Sequence, residues 1–373
     1  MILEHLGWNT HFQTEFDALN NKDFTPARVI REEKGRYLLA TEAGEISAEI
    51  SGNFRYNTAN LKDYPSVGDW VSIKPINNNT HSIIYHVLHR TSCFTRKAPV
   101  SGGRKVRDIQ NRKVVLGGST EEQVIAANVD TVFIVMSCDD NFNLRRLERY
   151  LLLTYNSGAS PVIVLNKIDL CEDYHELFLE IEAIAMGADI HPISALDKSN
   201  IESLNSYIRI GKTIGLFGSS GVGKSTIINR LLGNEQLPTS SVRESDSKGR
   251  HTTTWRELVV LPKGGILIDT PGMRELQLWT DSEHLEFQFS DIEDLMSQCK
   301  FNDCSHSSEP GCAIQESIAN GTLDIDRYEN YLLLQYETAY LEDRRREKEV
   351  KLLHRSYYGK QHKLMRNGIG LNK

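Results

Sequence analysis

One stretch of eight residues constrains the fold of this chain more than any other. Residues 218–225 read GSSGVGKS and match the pattern G-x-x-x-x-G-K-[ST] at every fixed position. Residues 212–217 (KTIGLF) have the composition of a buried strand, and residues 225–232 (STIINRLL) have the apolar spacing of a helix. A strand, a glycine-rich loop and a helix in this order form a phosphate-binding loop. The sequence therefore predicts a nucleoside triphosphate as ligand.

The predicted loop gives a role to each of its residues. Its backbone N–H groups surround the phosphates, and the helix N-terminus adds its positive dipole end. Lys224 reaches the β- and γ-phosphates as a catalytic residue, and the hydroxyl of Ser225 binds Mg²⁺. The nucleotide-binding residues predicted in this segment are Gly218, Ser219, Ser220, Gly221, Val222, Gly223, Lys224, Ser225 and Thr226.

A second motif indicates which base is bound. Asn166, Lys167 and Asp169 form N-K-x-D directly after a predicted strand. A carboxylate at position 169 can accept hydrogen bonds from the ring N–H and the exocyclic amine of guanine, which adenine does not offer. We expect Asn166 and Lys167 to contact the edge and face of the base. We expect the backbone of Ser194 and Ala195 to contact the guanine carbonyl. The two motifs together favour GTP, and an ATPase is disfavoured.

The remaining nucleotide contacts are predicted around a further strand. Asp269 ends the strand-like run GGILID and is followed by T-P-G. Asp269 can hold Mg²⁺ through water, and the N–H of Gly272 can contact the γ-phosphate. The hydrophilic stretch at residues 248–254 (KGRHTTT) supplies Thr252 and Thr253 as candidate hydroxyl ligands of Mg²⁺.

The order of the elements predicts the domain architecture. From residue 129 to residue 269 strands and helices alternate, which specifies a mostly parallel sheet covered by helices on both faces. The guanine motifs precede the phosphate loop, whereas ordinary GTPases place that loop first, so the domain is predicted to be circularly permuted. Five short strand-like runs between residues 27 and 89 favour a closed barrel of the oligonucleotide-binding type. Another small β-domain is the alternative.

Four potential metal ligands lie close together near the C-terminus. They are Cys299, Cys304, His306 and Cys312. Three sulfurs and one imidazole are the ligand set of a closed tetrahedral zinc site, so we predict one structural Zn²⁺ per chain. Three buried free cysteines are the alternative.

Two segments are strongly basic although the whole chain has a net charge of −7. Residues 90–113 contain eight Lys or Arg against one Asp, and residues 344–373 contain ten against two Glu. Tyr357 and Tyr358 are interleaved in the second segment, where aromatic rings can stack on unpaired bases. Both segments are predicted to contact RNA phosphates, and solvated charged surfaces are the alternative. The first is predicted to be a mobile loop or linker.

Taken together, these motifs resemble those of the ribosome-small-subunit-dependent GTPase A (RsgA) family. The similarity extends over almost the whole chain and includes NKID, GSSGVGKST, GRHTTT, DTPGMRE and the cysteine cluster. It implies a GTPase that binds the small ribosomal subunit and its rRNA and hydrolyses GTP to GDP and phosphate during late subunit assembly. It also implies His251 as a catalytic residue, because Met273 stands where many GTPases have a glutamine. The alternative is an RNA scaffold that binds GTP with little turnover.

The predicted protein is therefore multidomain. No apolar run of about 18 residues and no signal-like N-terminus is present, so we expect a cytoplasmic monomer with no membrane partner. The predicted parts are an arm (1–22), an RNA-binding barrel with a basic loop (23–115), a permuted P-loop GTPase domain (116–280) and a helical zinc domain with a basic tail (281–373).

Overall fold

The chain divides into two compact units, residues 1–277 and residues 278–373. No helix in the described part of the chain is long and apolar enough to cross a membrane. The structure is a computed structural model that describes residues 2–33, 35–58, 60–76, 81–97, 104–107, 113–116, 122–185, 187–233, 257–269 and 282–340.

The first unit contains a closed five-stranded barrel. Its strands are β1 (Thr25–Glu33), β2 (Arg36–Thr41), β3 (Gly44–Ile50), β4 (Trp70–Ile76) and β5 (His81–Val87). The ring closes in the order β1-β2-β3-β5-β4 because β1 pairs with both β2 and β4, and β3 runs parallel to β5. Inward side chains such as Val29, Leu39 and Ile73 are fully buried, as the two-residue period of a strand requires. The predicted barrel is confirmed.

The N-terminal segment, predicted as an arm, contains two short helices. A short 3₁₀ helix (Leu3–Leu6) is followed by α1 (Thr10–Ala18), whose first-turn N–H groups donate to the side chain of Asn9. The ring of Trp8 packs edge-on against Trp70 of the barrel at 4.7 Å between centroids. A nine-residue helix has too few turns to show a period in the sequence, so this element depends on its cap and its aromatic anchor.

The sheet of the predicted GTPase domain, called the GTPase sheet below, is built mainly from parallel strands. The strands of this domain are β9 (Glu122–Ala127), β10 (Thr131–Ser137), β11 (Ser160–Asn166), β12 (Asp189–Pro192), β13 (Thr213–Phe217), β14 (Glu257–Val260) and β15 (Ile266–Asp269). The sheet has the order β12-β11-β10-β13-β15, with all neighbouring pairs parallel, and β14 is added antiparallel to β15. The segment after β12 contains a 3₁₀ helix (Ile201–Ser206). The helices of the unit beyond α1 are α2 (Gly52–Asn57), α3 (Leu144–Ser157), α4 (His175–Ile184) and α5 (Lys224–Leu232).

The barrel and the GTPase sheet are joined twice. β14 also pairs with β1, so eleven strands form one continuous sheet. Beside this seam the guanidinium of Arg28 is buried, and burial lowers its pKa to about 10. It donates hydrogen bonds to the carbonyls of Leu6, Gly68 (3.1 Å) and Asn128 (3.2 Å) and to the hydroxyl of Thr213 (2.9 Å). One cation therefore links the N-terminal segment, the barrel and the GTPase sheet.

The described part of the first basic segment contains strands rather than only a loop. It contains β6 (Cys93–Lys97), which pairs with β9, and β7 (Arg104–Arg107), which pairs with β8 (Lys113–Leu116). Arg90 is not available to phosphates, because it forms two 2.7 Å hydrogen bonds to the carboxylate of Asp69.

The described part of the second unit is helical. It contains α6 (Ser282–Gln288), α7 (Ser290–Ser297), α8 (Ala313–Ala319) and α9 (residues 325–340). Phe289, Ile292 and Tyr331 are buried between these helices. The helical character predicted for this domain is confirmed in the described residues, and the basic tail lies outside them.

Candidate nucleotide site and metal centre

The phosphate loop lies where the sequence placed it, between β13 and α5 at the carboxyl end of the parallel strands. Two of its glycines are required by close backbone or side-chain approach. A Cβ on Gly218 would lie 2.6 Å from the carbonyl oxygen of Val135, and one on Gly223 would lie 2.2 Å from Nδ2 of Asn166. Gly223 also has a φ of +97°, which side chains disfavour.

Lys224 closes over the loop. Its ammonium group donates to the carbonyl oxygens of Gly218 (2.8 Å) and Ser219 (2.5 Å). Phosphate oxygens can accept hydrogen bonds from the same ammonium group. Ser225 follows in the first turn of α5 and is exposed, so its hydroxyl can serve as an oxygen ligand for Mg²⁺.

Asn166 joins two loops of the site through one buried amide. Its Nδ2 donates to the carbonyl of Val222 in the phosphate loop (2.8 Å), and its Oδ1 accepts from the N–H of Ala195 (3.0 Å). The sequence prediction placed Asn166 against the base and used the loop at Ser194 and Ala195 for the guanine carbonyl. In the structure the N–H of Ala195 donates to the amide oxygen of Asn166, and the contacts of both residues with the base stay predictions.

The loop at Ala195 is also held from the opposite side. Arg230, in the last turn of α5, donates to the carbonyl of Ala195 (2.9 Å) and to that of Leu196 (3.0 Å). The phosphate-loop helix and the loop predicted to contact the base are therefore linked directly. Sequence reasoning missed Arg230, because an arginine on a helix does not indicate which distant carbonyl it reaches.

Lys167 is fixed by a partner that the sequence analysis did not identify. It has a φ of +64°, and its Nζ lies 2.7 Å from Oδ2 of Asp139, two residues past the end of β10. The other carboxylate oxygen of Asp139 accepts from the hydroxyl of Ser137 (2.5 Å) and the N–H of Asn141 (3.0 Å). Burial raises the pKa of Asp139, but hydrogen bonds from Lys167 and Ser137 outweigh it and hold that pKa below its ordinary value.

Asp169 differs from Lys167 in its exposure and in its hydrogen bonds. It lies in a 3₁₀ helix (Ile168–Leu170), it is exposed, and its carboxylate makes no hydrogen bond within the described part of the chain. Its oxygens are therefore open to a base. Ser194 is buried, and its hydroxyl accepts from the N–H of Asp197 (3.3 Å).

Several predicted site residues cannot be placed. His251, Thr252, Thr253 and Gly272 lie outside the described residues. The backbone of Asp269 ends β15, which is the parallel neighbour of β13, so this position lies at the same sheet edge as the phosphate loop.

The structure brings the four predicted metal ligands together. Their ligand atoms all lie within 4.8 Å of one another. The Sγ atoms of Cys299 and Cys312 are 4.0 Å apart, and they lie 3.5 Å and 3.6 Å from Nδ1 of His306. Around a tetrahedral zinc, two sulfurs lie about 3.8 Å apart and a sulfur and a nitrogen about 3.6 Å apart. The three measured distances therefore fit zinc, and Cys304 is the fourth ligand of the set.

Backbone groups around the cluster support this ligand set. His306 has a φ of +58°, and its carbonyl accepts from the side chain of Gln315 (2.7 Å). Burial raises the pKa of Cys299, but N–H groups of Ala313 and Ile314 at the start of α8 donate to its sulfur and help to lower the pKa below its ordinary value. Such donors favour a thiolate, the form that binds metal.

Known proteins similar to this chain identify its family. A family model described as RsgA GTPase matches residues 109–279. The small ribosomal subunit biogenesis GTPase RsgA 1 of Oceanobacillus iheyensis is 45% identical over 317 residues, which span 85% of this chain and 86% of that protein. The chain belongs to the RsgA GTPase family.

Other members and solved structures agree with this assignment. The small ribosomal subunit biogenesis GTPase RsgA 2 of Vibrio parahaemolyticus is 43% identical over 340 residues, covering 91% of this chain and 86% of that protein. The crystal structure of YjeQ from Thermotoga maritima is similar with a TM-score of 0.57 at 27% identity, covering 85% of this chain and 99% of that one. The structure of YloQ, described as a circularly permuted GTPase, has a TM-score of 0.55 at 25% identity, covering 87% and 96%. The predicted permuted GTPase fold is confirmed.

Proposed function

We propose that this chain is a GTPase of small ribosomal subunit biogenesis, which binds GTP and hydrolyses it to GDP and phosphate in the cytoplasm. The observation that carries the proposal is the amide of Asn166, which bonds the phosphate loop to the loop at Ala195. One side chain thereby sets the distance between a triphosphate site and a base site. The names of the RsgA relatives supply the ribosomal setting.

Different residues of the site bind the base, the phosphates and Mg²⁺. The exposed carboxylate of Asp169 accepts from guanine, the loop N–H groups surround the phosphates, and Lys224 stabilises the charge that develops on the β–γ bridge and γ-phosphate. We assign the Mg²⁺ ligands to Ser225, Asp269 and the pair Thr252 and Thr253. When bound, Mg²⁺ neutralises charge on the β- and γ-phosphates.

The residue that orients the attacking water differs from that of many GTPases. Met273 follows the D-T-P-G motif, so no glutamine orients the attacking water at this position. We assign that role to His251, whose imidazole can accept a proton or a hydrogen bond from water. The RNA partner is assigned to the basic segments at residues 90–113 and 344–373, excluding Arg90.

Single-turnover hydrolysis of radiolabelled GTP, with and without purified small subunits, tests this function. We expect the subunits to accelerate hydrolysis by the parent protein and Lys224→Ala to remove the acceleration, because the lysine acts on the transferring phosphoryl group. Lys263→Ala is the control, since Lys263 is exposed before β15 at the opposite end of the sheet.

The rival function predicts a different result. A scaffold that only holds GTP would bind subunits and nucleotide yet show no subunit-dependent turnover. That outcome contradicts the proposed enzyme, and parental turnover by the Lys224 variant would contradict the role assigned to this lysine.

A further inference from the structure

The described part of the second unit is strongly acidic. Residues 282–340 contain twelve Asp or Glu and two Lys or Arg, a formal net charge of −10. Arg327 is buried, bonds to both carboxylate oxygens of Asp291 (3.0 and 2.8 Å) and covers the ring of Phe289. It therefore adds little positive potential at the surface. Such a surface repels RNA phosphates.

One face of α9 exposes a row of large apolar side chains. We name Ile325, Leu332, Leu333 and Tyr336 the α9 stripe; their exposed fractions are 52%, 42%, 53% and 72%. Their spacing of seven, one and three residues keeps them on one side of a helix. The other side is packed in the core, where Tyr331 is fully buried. A contiguous apolar row of this kind marks an interaction surface.

A carboxylate lies within this apolar row. Glu329 is exposed four residues after Ile325 and four residues before Leu333, so it shares the face of the α9 stripe. Asp326 is also exposed at the start of the helix. The surface therefore offers apolar contacts and negative charge together.

Charge complementarity selects one kind of occupant. A second copy of this chain would bring an equally acidic surface to the α9 stripe, and an anionic membrane or RNA would be repelled in the same way. A cationic segment that carries apolar side chains satisfies both features. We take the occupant to be a segment of another protein, and binding of a segment of this chain is one outcome of the test below.

We propose that the α9 stripe is a docking site for a positively charged protein segment with apolar side chains, such as a basic amphipathic helix. Binding of this type places apolar anchors along the helix face and pairs Lys or Arg with Glu329 and Asp326. No residue of the α9 stripe is assigned to nucleotide or zinc, and this proposal goes beyond the proposed GTPase function.

The direct test uses the full-length protein and a labelled synthetic helix of leucine and lysine, with binding followed by fluorescence anisotropy. We expect saturable binding that weakens about 10-fold or more in the double variant Leu333→Ser with Tyr336→Ser, as for loss of interface anchors. Glu329→Lys should weaken binding as well, and added salt should reduce the affinity of the parent protein.

Two controls make the result specific. Leu179→Ser removes a leucine of α4 that is 50% exposed outside the stripe, and it should bind the helix like the parent protein. A matched helix with glutamate in place of lysine should not bind. Equal affinity of the stripe variant and the parent protein, or equal binding of the glutamate helix, would overturn the proposal.

The natural occupant is identified by crosslinking. A photoreactive benzoylphenylalanine at position 336 is irradiated in the presence of purified small ribosomal subunits. A crosslink to a basic region of a subunit protein supports the proposal, whereas a crosslink to RNA, to residues of the same chain or to a second copy overturns it. The anisotropy assay needs neither GTP nor subunits, so failure of the proposed GTPase function would leave it interpretable.

Discussion

Asn166 determines the geometry of the nucleotide site at the scale of single residues. Its amide is the hydrogen-bond partner of the Val222 carbonyl and of the Ala195 N–H, and all three groups are buried. A buried polar group left without a partner costs about 1–3 kcal/mol, so removal of this amide would unsettle both loops at once. Gly223 is tied to the same residue, because a side chain there would occupy the space of the amide.

Asp169 is the residue on which base specificity depends. Asp169→Asn replaces two acceptors by one acceptor and one donor, which match the carbonyl edge of xanthine instead of the amine of guanine. We expect GTP affinity to fall and affinity for xanthosine triphosphate to rise, measured by competition against a fluorescent nucleotide. Unchanged GTP affinity would refute the assignment of this carboxylate to the base.

Asp139 acts on the base site through Lys167. Asp139→Ala should free the lysine from its 2.7 Å contact and weaken GTP and GDP equally, while Asp139→Asn should retain part of the affinity through a neutral hydrogen bond. Equilibrium nucleotide titrations measure this, with inorganic tripolyphosphate as a ligand that lacks the base. If tripolyphosphate binding fell as much as GTP binding, the residue would instead support the whole domain.

The pH dependence of this contact follows from the direction of the pKa shift. The folded-state pKa of Asp139 is lowered, so the stabilisation is complete above the unfolded pKa of about 3.9 and is lost as the pH falls through the lower folded value. The difference in free energy of unfolding between the parent protein and Asp139→Ala should therefore stay constant between about pH 6 and pH 8.

At the scale of elements, the zinc cluster holds the segment between α7 and α8. Cys304→Ser should abolish binding of about one zinc per chain and unfold part of the second unit, because structural zinc sites couple binding to local folding. Nucleotide affinity should persist, since the nucleotide motifs lie in the first unit. Metal analysis, circular dichroism and nucleotide titration measure the three effects.

Cys93→Ser is the matched control for the metal site. Cys93 begins β6 in the first unit and is distant in sequence from the cluster, so this variant should retain zinc. Retention of full zinc content by Cys304→Ser would contradict the assignment of the metal ligands.

Elements with long apolar runs could be predicted from the sequence, and the shorter ones could not. β10, β11 and β13 are buried parallel strands, so their apolar runs and flanking motifs identify them. The four-residue β14 was missed, because its position depends on pairing with β15 and β1 rather than on its own composition. Tertiary pairing decides such short strands.

The same limit applies to the site. The motifs identified Asn166, Lys167 and the phosphate loop, because each stands at a strand end in a recognisable pattern. They did not identify Asp139 or Arg230. Those residues reach the site from β10 and α5 across contacts between distant parts of the chain, which no local pattern records.

At the scale of the whole molecule, the proposed function requires coupling between nucleotide and subunit. Small-subunit affinity should be higher with a non-hydrolysable GTP analogue than with GDP, and subunits should favour the analogue by the same factor, typically about 5–150-fold. Subunit-binding titrations with each nucleotide, and nucleotide titrations with and without subunits, measure both sides of this linkage.

His251→Ala separates turnover from coupling. A residue that orients water is needed for hydrolysis and not for binding the triphosphate, so this variant should hydrolyse slowly while keeping the difference in subunit affinity. Equal subunit affinity with both nucleotides would remove the switch, and normal stimulated turnover in the variant would remove His251 from catalysis.

The burial of Arg28 also determines the order in which parts of the chain can fold during synthesis. Its partner Leu6 is made before it, Gly68 is made 40 residues after it, and Asn128 and Thr213 follow 100 and 185 residues later. Until then its guanidinium must keep water as a partner, because burying a cation with unmet N–H groups is strongly unfavourable. The barrel can close early through its own strands. The side of the barrel that carries Arg28 stays hydrated until the GTPase sheet has been synthesised. An isolated barrel domain would keep Arg28 exposed to water permanently.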